Sequence, residues 1–100
     1  MINTAKVSIS TEVKMSDKIK SNTLYELEDF LNIPNGDAKI SAKFGMTFRL
    51  KEFEILRYDI GIEIPCAVNA IDNSNDKLKE YLENRMISFI EKDLPKWRKD

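Results

Sequence analysis

The stretch Ala38-Lys39-Ile40-Ser41-Ala42-Lys43-Phe44-Gly45-Met46-Thr47-Phe48-Arg49-Leu50 decides how this chain is read, because it alternates without a break. Its even positions carry Ala38, Ile40, Ala42, Phe44, Met46, Phe48 and Leu50, and its odd positions carry Lys39, Ser41, Lys43, Gly45, Thr47 and Arg49. Successive side chains of a strand point to opposite faces, so a period of two with one apolar side is a half-buried β-strand. After Lys51-Glu52-Phe53-Glu54-Ile55 the alternation resumes with Leu56, Tyr58, Ile60, Ile62, Ile64 and Cys66, interleaved with Arg57, Asp59, Gly61, Glu63 and Pro65. Two strands of matching parity about a short loop predict a long antiparallel hairpin. Setting Leu50 against Leu56 pairs Lys43 with Glu63, Thr47 with Asp59 and Gly45 with Gly61, and leaves Arg49 against Arg57. The Lys–Glu pair favours that register and the Arg–Arg pair opposes it. A slip of one residue would turn the apolar set to water, so the parity is well determined. Facing glycines predict a bare patch on the outer face, where another chain approaches closely.

On the N-terminal side, Val7, Ile9, Val13 and Met15 share a face with Thr11, while Lys6, Ser8, Ser10, Glu12 and Lys14 take the other. That is a third strand. The polar run from Ser16 to Asn22 reads as a connection. Thr23-Leu24-Tyr25-Glu26 then matches a capping box, in which Thr accepts from the third backbone N–H and Glu reaches back. Leu24, Leu27 and Leu31 fall on one side of a short helix that Pro34-Asn35-Gly36 stops. A helix of about nine residues is weak alone, so it leans on the sheet.

On the C-terminal side, Pro65 is expected to end the hairpin, and Asp72-Asn73-Ser74-Asn75-Asp76 offers N-cap residues with the acidic charge a helix start prefers. Leu78, Leu82, Met86, Phe89 and Ile90 form one apolar stripe, spanning about 120° of a helical wheel. Pro95 ends or kinks this helix. The expected fold class is α+β. It is a two-layer sandwich with an antiparallel three-stranded sheet in the order strand, short helix, strand, strand, long helix, and residues 1–100 form a single domain.

A chain of 100 residues buries enough surface to need no disulfide or structural metal, and 42% hydrophobic with 33% charged residues is a globular composition. The net charge of −1 removes the simplest argument for a nucleic-acid binder, a strongly basic balance. Cys66 is the single cysteine and cannot close an internal disulfide, so a reducing, cytoplasmic setting is expected. The opening residues Met1 to Lys6 lack the basic patch and apolar run of a signal peptide. No apolar run approaches the roughly 18 residues of a membrane span, so no membrane partner is expected.

The residues that carry chemistry are sparse. There is no histidine, the commonest general base and metal ligand. Cys66 sits at the apolar parity of a strand, where a small thiol packs as core rather than acting as a nucleophile. Asp72, Ser74, Asp76 and Glu83 match some positions of a calcium-binding EF-hand loop, but Lys77 stands where that loop needs glycine, and capping is the better reading. Gly36, Gly45 and Gly61 are isolated and make no phosphate-cradling loop. No catalytic residue, metal ligand or cofactor site is expected, and the chain reads as a non-enzyme.

Two features carry binding signals. On the outer face of the sheet Lys6, Lys14, Lys39, Lys43, Arg49 and Arg57 outnumber Glu12, Asp59 and Glu63. A basic face bared by glycine can track a phosphate backbone, although no stacking aromatic is expected on it. The second signal is apolar residue left over once the core is filled. Phe53 lies at the hairpin tip, Ile55 has outward parity, Ile87 edges the helix stripe and Trp97 follows Pro95. Exposed together they would form a protein-binding patch.

The run Phe48-Arg49-Leu50-Lys51-Glu52-Phe53-Glu54, continuing through Asp59-Ile60-Gly61-Ile62-Glu63-Ile64-Pro65-Cys66, resembles small proteins of tailed phages and related mobile elements. Those have a strand ending near Leu, a turn with an aromatic-Glu pair, a strand reading Val/Ile-Gly-Val/Ile, then Pro-Cys and a C-terminal helix. The resemblance covers about half the chain. It implies a fold and a phage-like origin, with no active-site residues to carry over. The chain departs from the pattern at Lys51, where the turn often carries glycine, and in the segment from Ser16 to Asp37, which looks like an insertion with its own helix.

The expected function is therefore that of a non-catalytic phage-type accessory protein that binds another protein, a host factor among the candidates, through Phe53, Ile55, Ile87 and Trp97. The alternative is a nucleic-acid-binding accessory protein that uses Lys39, Lys43, Arg49 and Arg57 on the basic sheet face. An unpaired edge on the first strand or the hairpin also allows a homodimer by strand addition.

Overall fold

A computed structural model describes residues 2–15 and 17–98. It is an α+β fold with four antiparallel strands, β1 (Ile2–Met15), β2 (Lys18–Leu31), β3 (Ala38–Lys51) and β4 (Glu54–Cys66). A single helical arm follows. A 3-10 turn at Val68–Ala70 leads into α1 (Ile71–Ser88), a π-helical turn at Phe89–Asp93 and a last turn, α2 (Leu94–Trp97). The sheet order is β2-β1-β4-β3, so the two hairpins meet along β1 and β4.

The helical arm lies on β3 and β4. Its stripe of Leu78, Leu82, Met86, Phe89 and Leu94 is buried against Leu56, Tyr58, Ile60, Ile62 and Ile64 of β4, Ile40 and Phe48 of β3, and Ala5, Val7, Ile9 and Val13 of β1. Phe89 is the centre of this contact, stacked on Tyr58 with ring centroids 3.8 Å apart at 16° and tilted against Phe48 at 5.8 Å. Cys66 is buried with its thiol 3.2 Å from the Ser74 hydroxyl, to which it donates, as expected of a packed thiol.

The segment from Lys18 to Leu31 corrects the expected connection and short helix: it is a strand, and the sheet has four strands rather than three. The leucine spacing fits a helix, but the odd positions Ile19, Thr23, Tyr25, Leu27 and Leu31 alternate equally well and are rich in β-branched and aromatic residues. Pairing along the whole of β1, from Ile2 opposite Leu31 to Met15 opposite Lys18, satisfies far more backbone than a helix of two turns could. The residues of the expected capping box take other partners. The Thr23 hydroxyl shares a hydrogen bond with Ser10 at 3.2 Å, and Glu26 pairs with Arg85 at 3.3 Å.

The register of β3 on β4 has the expected parity but is displaced by two residues, with Phe48 rather than Leu50 opposite Leu56. A bulge between Arg49 and Lys51 then shifts the pairing by one residue, and Glu52 and Phe53 make the turn. Lys43 now faces Gly61, Gly45 faces Asp59, and Arg57 faces Thr47 instead of Arg49, which removes the like-charge pair. The two glycines do not face each other. Gly45 lies under the Arg57–Asp59 ion pair, where an added Cβ would overlap Asp59 Oδ1.

Pro65 does not end the hairpin; β4 runs on to Cys66. The pairing of β1 with β4 stops at Lys6 opposite Glu63, and beyond it the Asn3 side chain donates to the Pro65 carbonyl at 2.6 Å. Proline is tolerated there because no ladder donor is required of it on that side. The helix begins at Ile71, ahead of the expected caps, so Asp72 to Asp76 lie inside its first turns and Ser74 is buried. Pro95 does not end the helix. In the π turn the Leu94 N–H reaches back to the Phe89 carbonyl, and proline enters at the start of α2, where its missing N–H costs little.

Candidate functional site

Because the helical arm covers the β3–β4 half of the sheet, β2 lies largely beyond its reach. Phe30 and Glu26 reach it: Phe30 packs edge-on against Tyr81 with centroids 5.3 Å apart, and Glu26 pairs with Arg85 at 3.3 Å. The inner face of β2 is accordingly largely polar, with Lys18, Lys20, Asn22, Glu26 and Glu28 alongside Leu24 and Phe30 opposite the inward-facing residues of β1. The outer face carries most of its apolar side chains, while Leu24 and Phe30 point inward. Ile19, Tyr25, Leu27 and Leu31 are 61%, 81%, 72% and 66% exposed, and Ile2 of β1 joins them opposite Leu31.

Beside this row the sheet makes a trough. One rung across the four strands reads Tyr25, Ser8, Gly61, Lys43, and the next reads Leu27, Lys6, Glu63, Ser41. In the first rung two long side chains flank a hydroxyl and a bare glycine, so the floor is low and the walls are high. The result is a groove of about 430 Å³ between Tyr25 and Leu27 on one side and Lys43 on the other. A Cβ at Gly61 would sit 2.8 Å from the Ser8 hydroxyl, so any larger residue fills the floor.

The charges around the groove are partly paired. Lys39 forms an ion pair with Glu63, and this bond, together with the charge of Lys39, holds the Glu63 carboxyl below its usual range. Arg57 is bonded to Asp59, Nη2 to Oδ1 at 2.9 Å, and donates to the Thr47 hydroxyl at 3.2 Å. The Asp59 carboxylate raises the pKa of the guanidinium accordingly. Lys43 stands over the groove, its side-chain stem near Gly61. Arg49 lies further along β3 opposite Ile55, and its carbonyl accepts two bonds from the Arg98 guanidinium. Of the four expected phosphate-tracking cations, then, Lys39 and Arg57 are engaged by carboxylates.

The four apolar residues singled out from the sequence are exposed but stand on separate surfaces. Phe53 is at the β3–β4 tip in a left-handed conformation, φ 68°. Ile55 is on the outer face between Lys14 and Arg49. Ile87 is on the helix, and Trp97 lines a second depression of about 330 Å³ on the inner side, with Val13, Met15 and Leu50. Sequence reasoning missed Tyr25 and Leu27, and with them an exposed aromatic on the outer face. Their odd-position alternation with Ile19, Thr23 and Leu31 is the signal that would have found them.

Among the described residues, no group of three or more His, Cys, Asp or Glu could hold a metal ion, and no helix is long and apolar enough to cross a membrane. In comparisons with protein families, curated proteins and solved structures, the chain has no match.

Proposed function

We propose that this chain is a non-catalytic accessory protein of the phage or mobile-element type that binds another protein, host or phage, through the outer face of its sheet. The observation that carries the reading is the exposed Tyr25–Leu27 row beside a groove floored by Ser8 and Gly61. Large apolar side chains next to a small-residue floor suit an extended peptide, whose own side chains seat between them. The partner segment is apolar with an acidic residue, for Lys6 and Lys43 stand at the groove. Ile55 extends the same face; Phe53, Ile87 and Trp97 belong to surfaces elsewhere.

Nucleic-acid binding is the second reading, and one observation favours it: Tyr25 offers a stacking platform on the same face as Lys6 and Lys43. Against it, Lys39 and Arg57 are held by Glu63 and Asp59, which also bring negative charge to the face.

The test is to select peptides on the purified protein from a random display library. The selected peptides, and labelled single-stranded DNA and RNA, are then titrated by fluorescence anisotropy at low and physiological salt. Micromolar peptide binding that weakens about tenfold or more in Leu27→Ser supports the proposal. No selectable peptide, with nucleic-acid binding that falls steeply with salt, transfers the face to the second reading.

A further inference from the structure

The sheet has two free edges, β2 and β3, each 14 residues long, and they differ in charge. β3 carries Lys39, Lys43, Arg49 and Lys51 and no acidic residue, so two β3 edges laid together repel. β2 is divided instead. Lys18 and Lys20 stand at its start, and Glu26, Glu28 and Asp29 near its end. It contains no proline and pairs with β1 without a bulge, so neither interrupts its outer edge.

We propose that two copies of this chain pair β2 against β2 antiparallel about a two-fold axis, joining their sheets into one of eight strands. Antiparallel pairing about an axis normal to the sheet keeps outer faces on one side, so odd residues of β2 meet odd residues and even meet even. The charges then choose the register. With Thr23 opposite Thr23, Lys18 faces Glu28 of the second copy and Lys20 faces its Glu26, and symmetry doubles both pairs. On the outer face Ile19 meets Leu27 of the second copy. Sliding the strands by one allowed step sets Lys18 opposite Phe30 in one direction and Lys20 opposite Leu24 in the other, losing half the ion pairs each way. Glu26 keeps its bond to Arg85 of its own chain and bridges it to the incoming Lys20. The backbone ladder supplies the affinity, while the charges fix direction and register. The helical arms lie over β3 and β4, away from the junction.

The inference concerns the strand edge rather than the groove: it places Leu27 beside Ile19 of the second copy and leaves Tyr25 exposed on the outer face, and the charge variants that test it leave Leu27 unchanged. Sedimentation equilibrium from micromolar to near-millimolar protein tests it, with three chains: wild type, the double variant K18E/K20E, and the double variant E26K/E28K. Wild type is expected to dimerise. Each variant, having one sign of charge at all four positions, is expected to dissociate with Kd raised at least about tenfold. Their equimolar mixture is expected to form a heterodimer, because every facing pair again joins Lys to Glu. Restoration by mixing also shows that both variants are folded. A wild type that stays monomeric throughout, or a dimer that both variants leave unchanged, overturns the proposal.

Discussion

Tyr81 sits at the junction between β2 and the helix, with Phe30 edge-on at 5.3 Å and the Arg85 guanidinium 5.9 Å from its ring centroid. Its hydroxyl is buried and has no hydrogen-bond partner among the described residues. A buried hydroxyl left unpaired costs about 1–3 kcal/mol, so Tyr81→Phe is expected to raise the urea midpoint by an equivalent of about 1 kcal/mol. A fall in the midpoint would mean that the hydroxyl is satisfied. Burial also pushes the phenols of Tyr58 and Tyr81 above their ordinary value. Each therefore favours the folded state fully below the unfolded phenol pKa, and that contribution is lost as pH rises through the higher folded value. Thermal melts above pH 10 should show this alkaline loss, and Tyr81→Phe should show less of it. Glu63 behaves with the opposite sign. Its carboxyl is held low by Lys39, so the Lys39–Glu63 contribution is present at neutral pH and disappears only as acid takes the pH down through the depressed value. Carbon-detected NMR titration of Glu63 should give a low midpoint that returns to the ordinary carboxylate range in Lys39→Ala.

At the scale of elements, the β3–β4 tip stores strain. Phe53 holds φ 68°, a region that favours glycine. Phe53→Gly is expected to stabilise the chain by about 1 kcal/mol in urea unfolding, whereas Phe53→Ala keeps the strain and gives no such gain. A loss in the glycine variant would show that the Phe53 ring packs in the fold. Legibility also divides by element. The alternation of β3 and β4 could be read because the helical arm buries one face of each, so hydrophobicity records the pleat. Their register could not, since parity permits steps of two and the bulge after Arg49 is invisible in the pattern. β2 is hard to read for a physical reason: it lies largely beyond the helix, has little core to face, and carries most of its polar side chains inward and most of its apolar ones outward. With no core to impose a period of two, its leucine spacing and its Thr23–Glu26 pair mimicked a helix. The candidate site followed the same division. Lys43 and Gly61 were found on strands that were read correctly, and Tyr25 and Leu27 were lost with β2.

The whole molecule is elongated, 48 × 23 × 19 Å, with one core between the helical arm and the sheet. Phe89 joins the two layers through Tyr58 and Phe48. Truncation to Phe89→Ala is expected to cost about 3–5 kcal/mol, a large share of a domain's net stability of roughly 5–15 kcal/mol. A cost below about 1 kcal/mol would mean that the layers are joined elsewhere. The proposed binding face and the proposed dimer edge both depend on β2 being a strand. Interproton NOEs in the labelled protein test that point most directly. The account predicts cross-strand contacts joining Ala5 to Glu28, Ile9 to Leu24 and Val13 to Lys20. Strong sequential amide–amide contacts from Thr23 to Leu31, with none to β1, would show a helix there and contradict it.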